Sequence, residues 1–336
     1  MMKKSLLTVA VLGAIAGTAS AQTNVTIYGV ADANISRFDD GANNTTRLDS
    51  GGQSGSRIGF KGSEDLGGGL SAIFAVENGY DISNGSLGQG GRLFGRQAFV
   101  GVNSGFGAVK LGRQYNPIRL AVEGVDPFGL GLAGNAANLF DVHGERADNT
   151  INYSTPTFGG FSGQLAYSLG EVAGSSSIGR QVGLSAGYAA GPVSIVLAHH
   201  DRNLVVSNAD AGDSRTTFLG GTFDFGMAKV HASYAVNKGD SVTGATAIDS
   251  DDAMIGATVP FGQAKLLASY IRRSDDLGAD RDADQVAVGL TYDLSKRTNL
   301  YTSYARIKND GAATQGGAVA AGLDPSLFNV GIRHRF

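Results

Sequence analysis

Four acidic side chains, Glu123, Asp126, Asp141 and Glu145, fall in one stretch, about 116–146, that is otherwise rich in glycine and apolar residues. Carboxylates so placed can hold a cation, move protons, or set up an electric field across a gap. The apolar content separates these readings. An ordinary surface loop has no use for Leu120, Val122, Val125, Phe128, Leu130, Leu132, Leu139 and Phe140, whereas a loop laid against an inner wall does.

Catalytic and cofactor readings fail on the residues themselves. The five histidines (His143, His199, His200, His231 and His334) and the many serines and aspartates stand in no recognisable catalytic motif. Adjacent His199 and His200 point to opposite faces of a strand and cannot jointly hold one metal ion. Gly129-Leu130-Gly131-Leu132-Ala133-Gly134 has the spacing of a dinucleotide loop but follows no strand and opens no long helix. Asp280-Arg281-Asp282-Ala283-Asp284 imitates the start of a calcium loop, yet Gln285 and Thr291 stand where glycine and glutamate are needed. The expectation is a chain with no catalytic residues, no cofactor and no metal.

The elements that position the charged residues are strands. At the C-terminus Phe328, Val330, Ile332 and Phe336 share one parity, interrupted by His334, and Asn329, Gly331, Arg333 and Arg335 share the other. The same two-faced pattern recurs at Val25–Ala31, Ile58–Phe60, Leu70–Val76, Val182–Tyr188, Val230–Val236, Val286–Tyr292 and Leu300–Tyr304. Tyrosines gather near the strand ends.

Connections alternate between seven tight turns, six of them glycine-bearing, such as Gly105-Phe106-Gly107 and Ala190-Gly191-Pro192, and eight longer polar segments, among them 37–50, 201–213, 238–252 and 273–284. Eight long loops on one side imply sixteen strands. The fold expected is all-β, a sixteen-stranded antiparallel transmembrane β-barrel with the 116–146 segment folded inward.

Both ends agree with that fold. Met1-Met2-Lys3-Lys4, the apolar run Leu6–Ala16 and Ala19-Ser20-Ala21 read as a signal peptide over 1–21, cleaved before Gln22. Removing 21 of 336 residues leaves 315, or about 20 per strand plus connection. Without Lys3 and Lys4, 25 basic residues face 30 acidic ones, a net charge of −5. The chain has no cysteine, which suits passage through an oxidising compartment. After the signal no stretch of about 18 apolar residues appears. The mean hydropathy is near neutral, as expected when half of every strand faces water. A soluble all-β protein would alternate too, but this chain lacks tryptophan and ends on an aromatic residue.

Blocks along the whole mature chain carry a resemblance. Ser56-Arg57-Ile58-Gly59-Phe60-Lys61-Gly62-Ser63-Glu64-Asp65-Leu66-Gly67, Gly95–Gly101, Leu111-Gly112-Arg113-Gln114, Arg146–Tyr153 and Gly331–Phe336 resemble the trimeric general porins of Gram-negative outer membranes, most closely the neisserial, Bordetella and Burkholderia branch. The resemblance implies a homotrimer with one pore per subunit and a third external loop, here 116–146, that constricts the pore. It also implies that Arg96 and Arg146 occupy wall-arginine positions.

Arg57 lies on the wet parity of its strand and points into the lumen by its own pattern. Arg92 and Arg113 extend the ladder, although Arg113 shares parity with Val109 and Leu111. Lys61 shares the parity of Arg57 but sits about four residues nearer the turn, at the periplasmic mouth. Arginines facing the loop acids would create a transverse field that favours polar solutes.

The function implied is passive diffusion of small hydrophilic solutes and ions, with a mild preference for anions. A substrate-specific channel and an adhesin acting through its external loops are the alternatives. Outer-membrane lipid and lipopolysaccharide are the expected surroundings. Divalent cations at the Asp249/Asp251/Asp252 and Asp275/Asp276 clusters are one possible bridge to lipopolysaccharide, against a plain solvated rim. Phe336 is the feature the barrel-assembly machinery would read, and nothing suggests a nucleic-acid partner.

Overall fold

The computed structural model describes residues 24–278 and 280–336. The segment read as a signal peptide, residues 1–21, lies outside them. The chain folds as seventeen strand segments in one antiparallel sheet. The first half comprises β1 (Asn24–Asp39), β2 (Asn44–Ser50), β3 (Arg57–Gly67), β4 (Leu70–Gly79), β5 (Gln97–Ser104), β6 (Gly107–Tyr115), β7 (Arg146–Ser154) and β8 (Phe161–Ser168). The middle comprises β9 (Gln181–Ala190), β10 (Val193–Val206), β11 (Ala209–Asp224), β12 (Lys229–Asp240) and β13 (Thr246–Phe261). β14 (Ala264–Asp275), β15 (Ala283–Asp293), β16 (Thr298–Asn309) and β17 (Ser326–Arg335) complete it.

Seventeen segments make sixteen wall positions because β2 and β3 are halves of one strand. β3 pairs with the first part of β1 (Asn24↔Ser63 to Val30↔Arg57) and β2 with the last (Ala33↔Ser50 to Asp39↔Asn44). Residues 51–56 leave the ladder between them. β17 then pairs with the other edge of β1, from Val30↔Arg335 to Asp39↔Ser326, so the sheet closes on itself. Phe336 finishes the seam, its backbone N–H and C=O each bonding Gly29 at 3.1 and 3.0 Å.

Alternation decides what each residue meets. On β16 Leu300 and Tyr304 are each 42% exposed and face outward, while Tyr301 and Ser303 between them are 2% and 3% exposed and face inward. An apolar exterior around a polar interior is the inverse of a soluble protein and fits a wall surrounded by lipid.

Three segments expected as external loops, 37–50, 201–213 and 238–252, are largely strand, and a fourth, 273–284, is strand at both ends. Only residues 40–43 connect β1 to β2, Ser207-Asn208 connect β10 to β11, and short tips join β12 to β13 and β14 to β15. Ser207 and Asn208 have φ of 51° and 63°, the left-handed pair that a two-residue hairpin turn requires. Polar composition hid these ladders: beyond the membrane neither face must be apolar, and pairs such as Lys238 opposite Asp249 hold the register.

Candidate functional site

The 116–146 segment begins with a short helix, α1 (Pro117–Val125). Pro117 suits its first turn, and the Asn116 side chain caps it by accepting from Arg119 N at 2.9 Å. Ile118, Ala121, Val122 and Val125 form one buried face. With Leu139 and Phe140 they pack on Ala198, Phe218, Ala235, Met254, Ile271 and Ile307, all on the inward parity of β10–β16. Phe140 meets Phe218 edge-on, with ring centres 6.0 Å apart.

Polar contacts fix the rest of the loop to the same wall. Ala133 N donates to Ser303 Oγ at 2.9 Å, Asn138 Nδ2 to Gln285 Oε1 at 2.6 Å, and Arg273 Nη1 to the Leu139 carbonyl at 2.7 Å. The loop tip also touches the break in the second strand, where Leu132 N donates to the Gly52 carbonyl at 2.6 Å. That break is held by Asp32, whose carboxylate accepts from Gln53 N (3.1 Å), Ser54 N (2.7 Å) and Tyr301 OH (2.5 Å).

On the β3–β7 side the arginines converge. Arg96 Nε lies 2.7 Å from Glu77 Oε1, and Arg57 Nη1 lies 3.9 Å from the same oxygen. Tyr28 OH donates to Glu77 Oε2 at 3.0 Å. Arg96 Nη2 and Arg146 Nη2 both donate to Tyr115 OH, at 2.7 and 2.8 Å. Over the same ring stand the guanidinium groups of Arg146 and of Arg119 from α1, 4.4 and 4.2 Å from its centre. Arg57 also donates to Ser54 Oγ in the strand break.

The expected residues therefore divide. Arg57, Arg96 and Arg146 share one cluster. Arg92 and Arg113 do not join it: both bind Asp148, at 2.8 and 2.6 Å. The ladder slips a register between Gly112 and Gln114, so the parity of Val109 and Leu111 does not fix the direction of Arg113.

Among the loop acids, Glu145 pairs with Arg146 at 2.8 Å and Glu123 with Arg119. Asp126 is buried and accepts from Phe128 N, Leu130 N and Ala136 N at 2.9–3.0 Å, so it shapes the loop itself; burial pushes its carboxyl up to about 6. Asp141 accepts from His143 N at 2.7 Å. Among the described residues neither Asp126 nor Asp141 is paired with an arginine.

Glu77, Tyr115 and Arg119 are the participants that the strand pattern alone passed over. Glu77 was legible in principle, since it lies on the wet parity opposite Phe74 and Val76. Tyr115 and Arg119 were not: Tyr115 meets Arg96 and Arg146 only across strands, and Arg119, paired locally with Glu123, lies in a helix that the strand pattern does not describe. The two adjacent histidines do face apart: His199 meets Thr217 at 2.8 Å, and His200 stacks on His143 of the loop with ring centres 4.7 Å apart.

A closed antiparallel barrel, greasy outside and lined by charges within, is an outer-membrane channel. The family described as Gram-negative porin matches residues 8–312, and the chain belongs to it. An outer membrane porin of Delftia acidovorans is 35% identical and one of Bordetella pertussis 32% identical, each over the full length of both chains. A solved structure, the anion-selective porin from Comamonas acidovorans, matches with a TM-score of 0.84 and 32% identity over 94% of this chain and all of that one. Salmonella typhi OmpF, at 19% identity and a TM-score of 0.70, shares the fold. The chain is thus a porin of the Gram-negative outer membrane, a channel for passive diffusion of small hydrophilic solutes and ions.

Proposed function

We propose that this porin passes anions in mild preference to cations, that Arg57, Arg96 and Arg146 are the basic wall of its narrowest zone, and that the 116–146 loop narrows it. One observation carries the reading: four guanidinium groups (Arg57, Arg96, Arg119, Arg146) share three carboxylates (Glu77, Glu123, Glu145), leaving one positive charge in excess where loop and wall meet. A permeating ion responds most strongly to the nearest fixed charge, because the field falls with distance and is screened within about 8–10 Å. The excess therefore outweighs the net −5 of residues 22–336, whose acids are concentrated toward the external hairpins. The anion-selective neighbour supports the same sign.

Arg92 and Arg113 brace the edge of this zone through Asp148. Asp126 and Asp141 set the loop's shape, and Glu123 and Glu145 face the wall. The channel works as a homotrimer surrounded by lipid and lipopolysaccharide, after removal of residues 1–21 and insertion by assembly machinery that reads Phe336. The test is single-channel current in a planar bilayer under a salt gradient. Conductance steps in threes and a reversal potential of anionic sign are expected. A cationic sign would overturn the charge assignment, and single steps from folded protein would overturn the trimer.

A further inference from the structure

Two lysines on the same wall differ from the arginines in one respect. Arg57, Arg96, Arg119 and Arg146 each have a carboxylate within 4.0 Å. Lys61 and Lys110 line one crevice of the wall, and among the described residues neither is in an ion pair. Each ammonium instead stands over an aromatic ring, Lys61 Nζ 5.2 Å from the centre of Tyr28 and Lys110 Nζ 5.4 Å from that of Phe99. A ring orients a cation through its quadrupole but carries no net charge, so both positive charges remain uncompensated.

The ladder explains why the two meet. Lys61 lies opposite Ala75, Ala75 opposite Phe99, and Lys110 opposite Gly101, so four neighbouring strands present them on one face. Small Ala75 leaves room between the long side chains. Ile73 and the rings supply apolar surface, and Thr26 and Ser63 supply hydroxyls at the edge. The crevice lies on the short-turn side of the arginine cluster and is continuous with it, since Tyr28 beneath Lys61 donates to Glu77.

We infer that Lys61 and Lys110 form a lumenal subsite for small organic anions with an apolar body, of which an aromatic carboxylate is the simplest. The carboxylate meets two unpaired ammonium groups, and the body covers Phe99 and Ile73, which an inorganic anion cannot do. This rests on the anion-preferring reading above. It places the strongest uncompensated charge below the arginine cluster rather than within it.

The test is block of chloride current through the reconstituted full-length mature porin by benzoate, acetate and neutral benzyl alcohol, added from the short-turn side. Benzoate is expected to interrupt the current at about tenfold lower concentration than acetate, and benzyl alcohol not at all. In Lys61→Gln/Lys110→Gln the benzoate constant rises about tenfold or more, and Lys61→Arg/Lys110→Arg keeps it. Each single glutamine variant gives an intermediate shift, so the inference stays testable if the double variant does not assemble. Equal block by benzoate and acetate, or a benzoate constant unchanged by the glutamine variants, overturns the subsite. The salt-gradient reversal potential, read before any benzoate is added, separates the two readings. A cationic sign there brings down the anion preference itself, whereas an anion-preferring channel indifferent to benzoate brings down only the subsite.

Discussion

Glu77 and Arg96 form a nearly dry ion pair inside a water-filled barrel, with Nε 2.7 Å from Oε1 and side chains 3% and 7% exposed. A single carboxylate thereby restrains two wall arginines, since Arg57 reaches the same oxygen. Breaking such a pair leaves an unpaired buried charge, which is costly. Here the freed guanidinium groups can turn toward lumenal water and permeating anions.

Glu77→Gln keeps the acceptor oxygen and removes one negative charge. A unit charge a few ångströms from an ion in a wet setting is worth about 1 kcal/mol. The anion-to-cation permeability ratio should rise about fivefold, read as a shift of reversal potential in a salt gradient. No shift would mean that Glu77 is electrically remote from the ion path.

Tyr115 gathers Arg96 and Arg146 on its hydroxyl and carries Arg119 and Arg146 over its ring. Tyr115→Phe removes the two hydrogen bonds and keeps the ring. A loss of about 1–2 kcal/mol is expected in a denaturant titration of the detergent-solubilised protein. Tyr115→Ala should cost more and also add noise to the open-channel current. Equal losses for the two variants would show that the ring contributes nothing.

Two loop groups respond to acid in opposite senses. Burial pushes His143 down to about 4 from 6.5, so an undocked loop binds its proton more readily, and docking weakens as pH falls from about 6.5 through 4. Asp126 is pushed up to about 6 from 3.8, so the docked loop holds that proton more tightly, and docking weakens as pH rises from about 4 through 6. In His143→Phe the frequency of channel closures should rise only toward neutral pH. In Asp126→Asn it should rise only toward acid. A pH profile unchanged by both substitutions would refute the assignment of loop docking to these groups.

At the barrel seam a Cβ on Gly29 would lie 2.3 Å from Phe336 Cζ and 2.7 Å from the Arg57 carbonyl oxygen. Gly29→Leu therefore disturbs the seam while leaving Phe336 in the sequence. Deletion of Phe336 removes the ring and two backbone bonds. Refolding into lipid vesicles, scored by heat-modifiable mobility, should fall about tenfold for each. If deletion lowered assembly only in cells and not in vesicles, the role of Phe336 would lie in recognition rather than in closure.

Most of the barrel was legible from period two alone. Val330, Ile332 and Phe336 on one parity and Arg333 and Arg335 on the other fix which face meets lipid, since a strand between oil and water has only one acceptable orientation. The alternation of tight turns with long loops fixed the strand count, and Arg57 its own direction. The hairpin extensions at 201–213 and 238–252 were not legible, because beyond the lipid no face need be greasy and the apolar signal vanishes. Only the tertiary structure decided which acids meet which bases. Glu77 lies 19 residues from Arg96, and Arg146 lies 31 from Tyr115. The pairing of β4 with β5 and of β6 with β7 brings them together, and nothing in a local pattern distinguishes Asp126, turned onto its own backbone, from Glu145, turned onto Arg146. Period two sorts residues between lipid and water, whereas the pairing of charges inside depends on the register of strands distant in the chain.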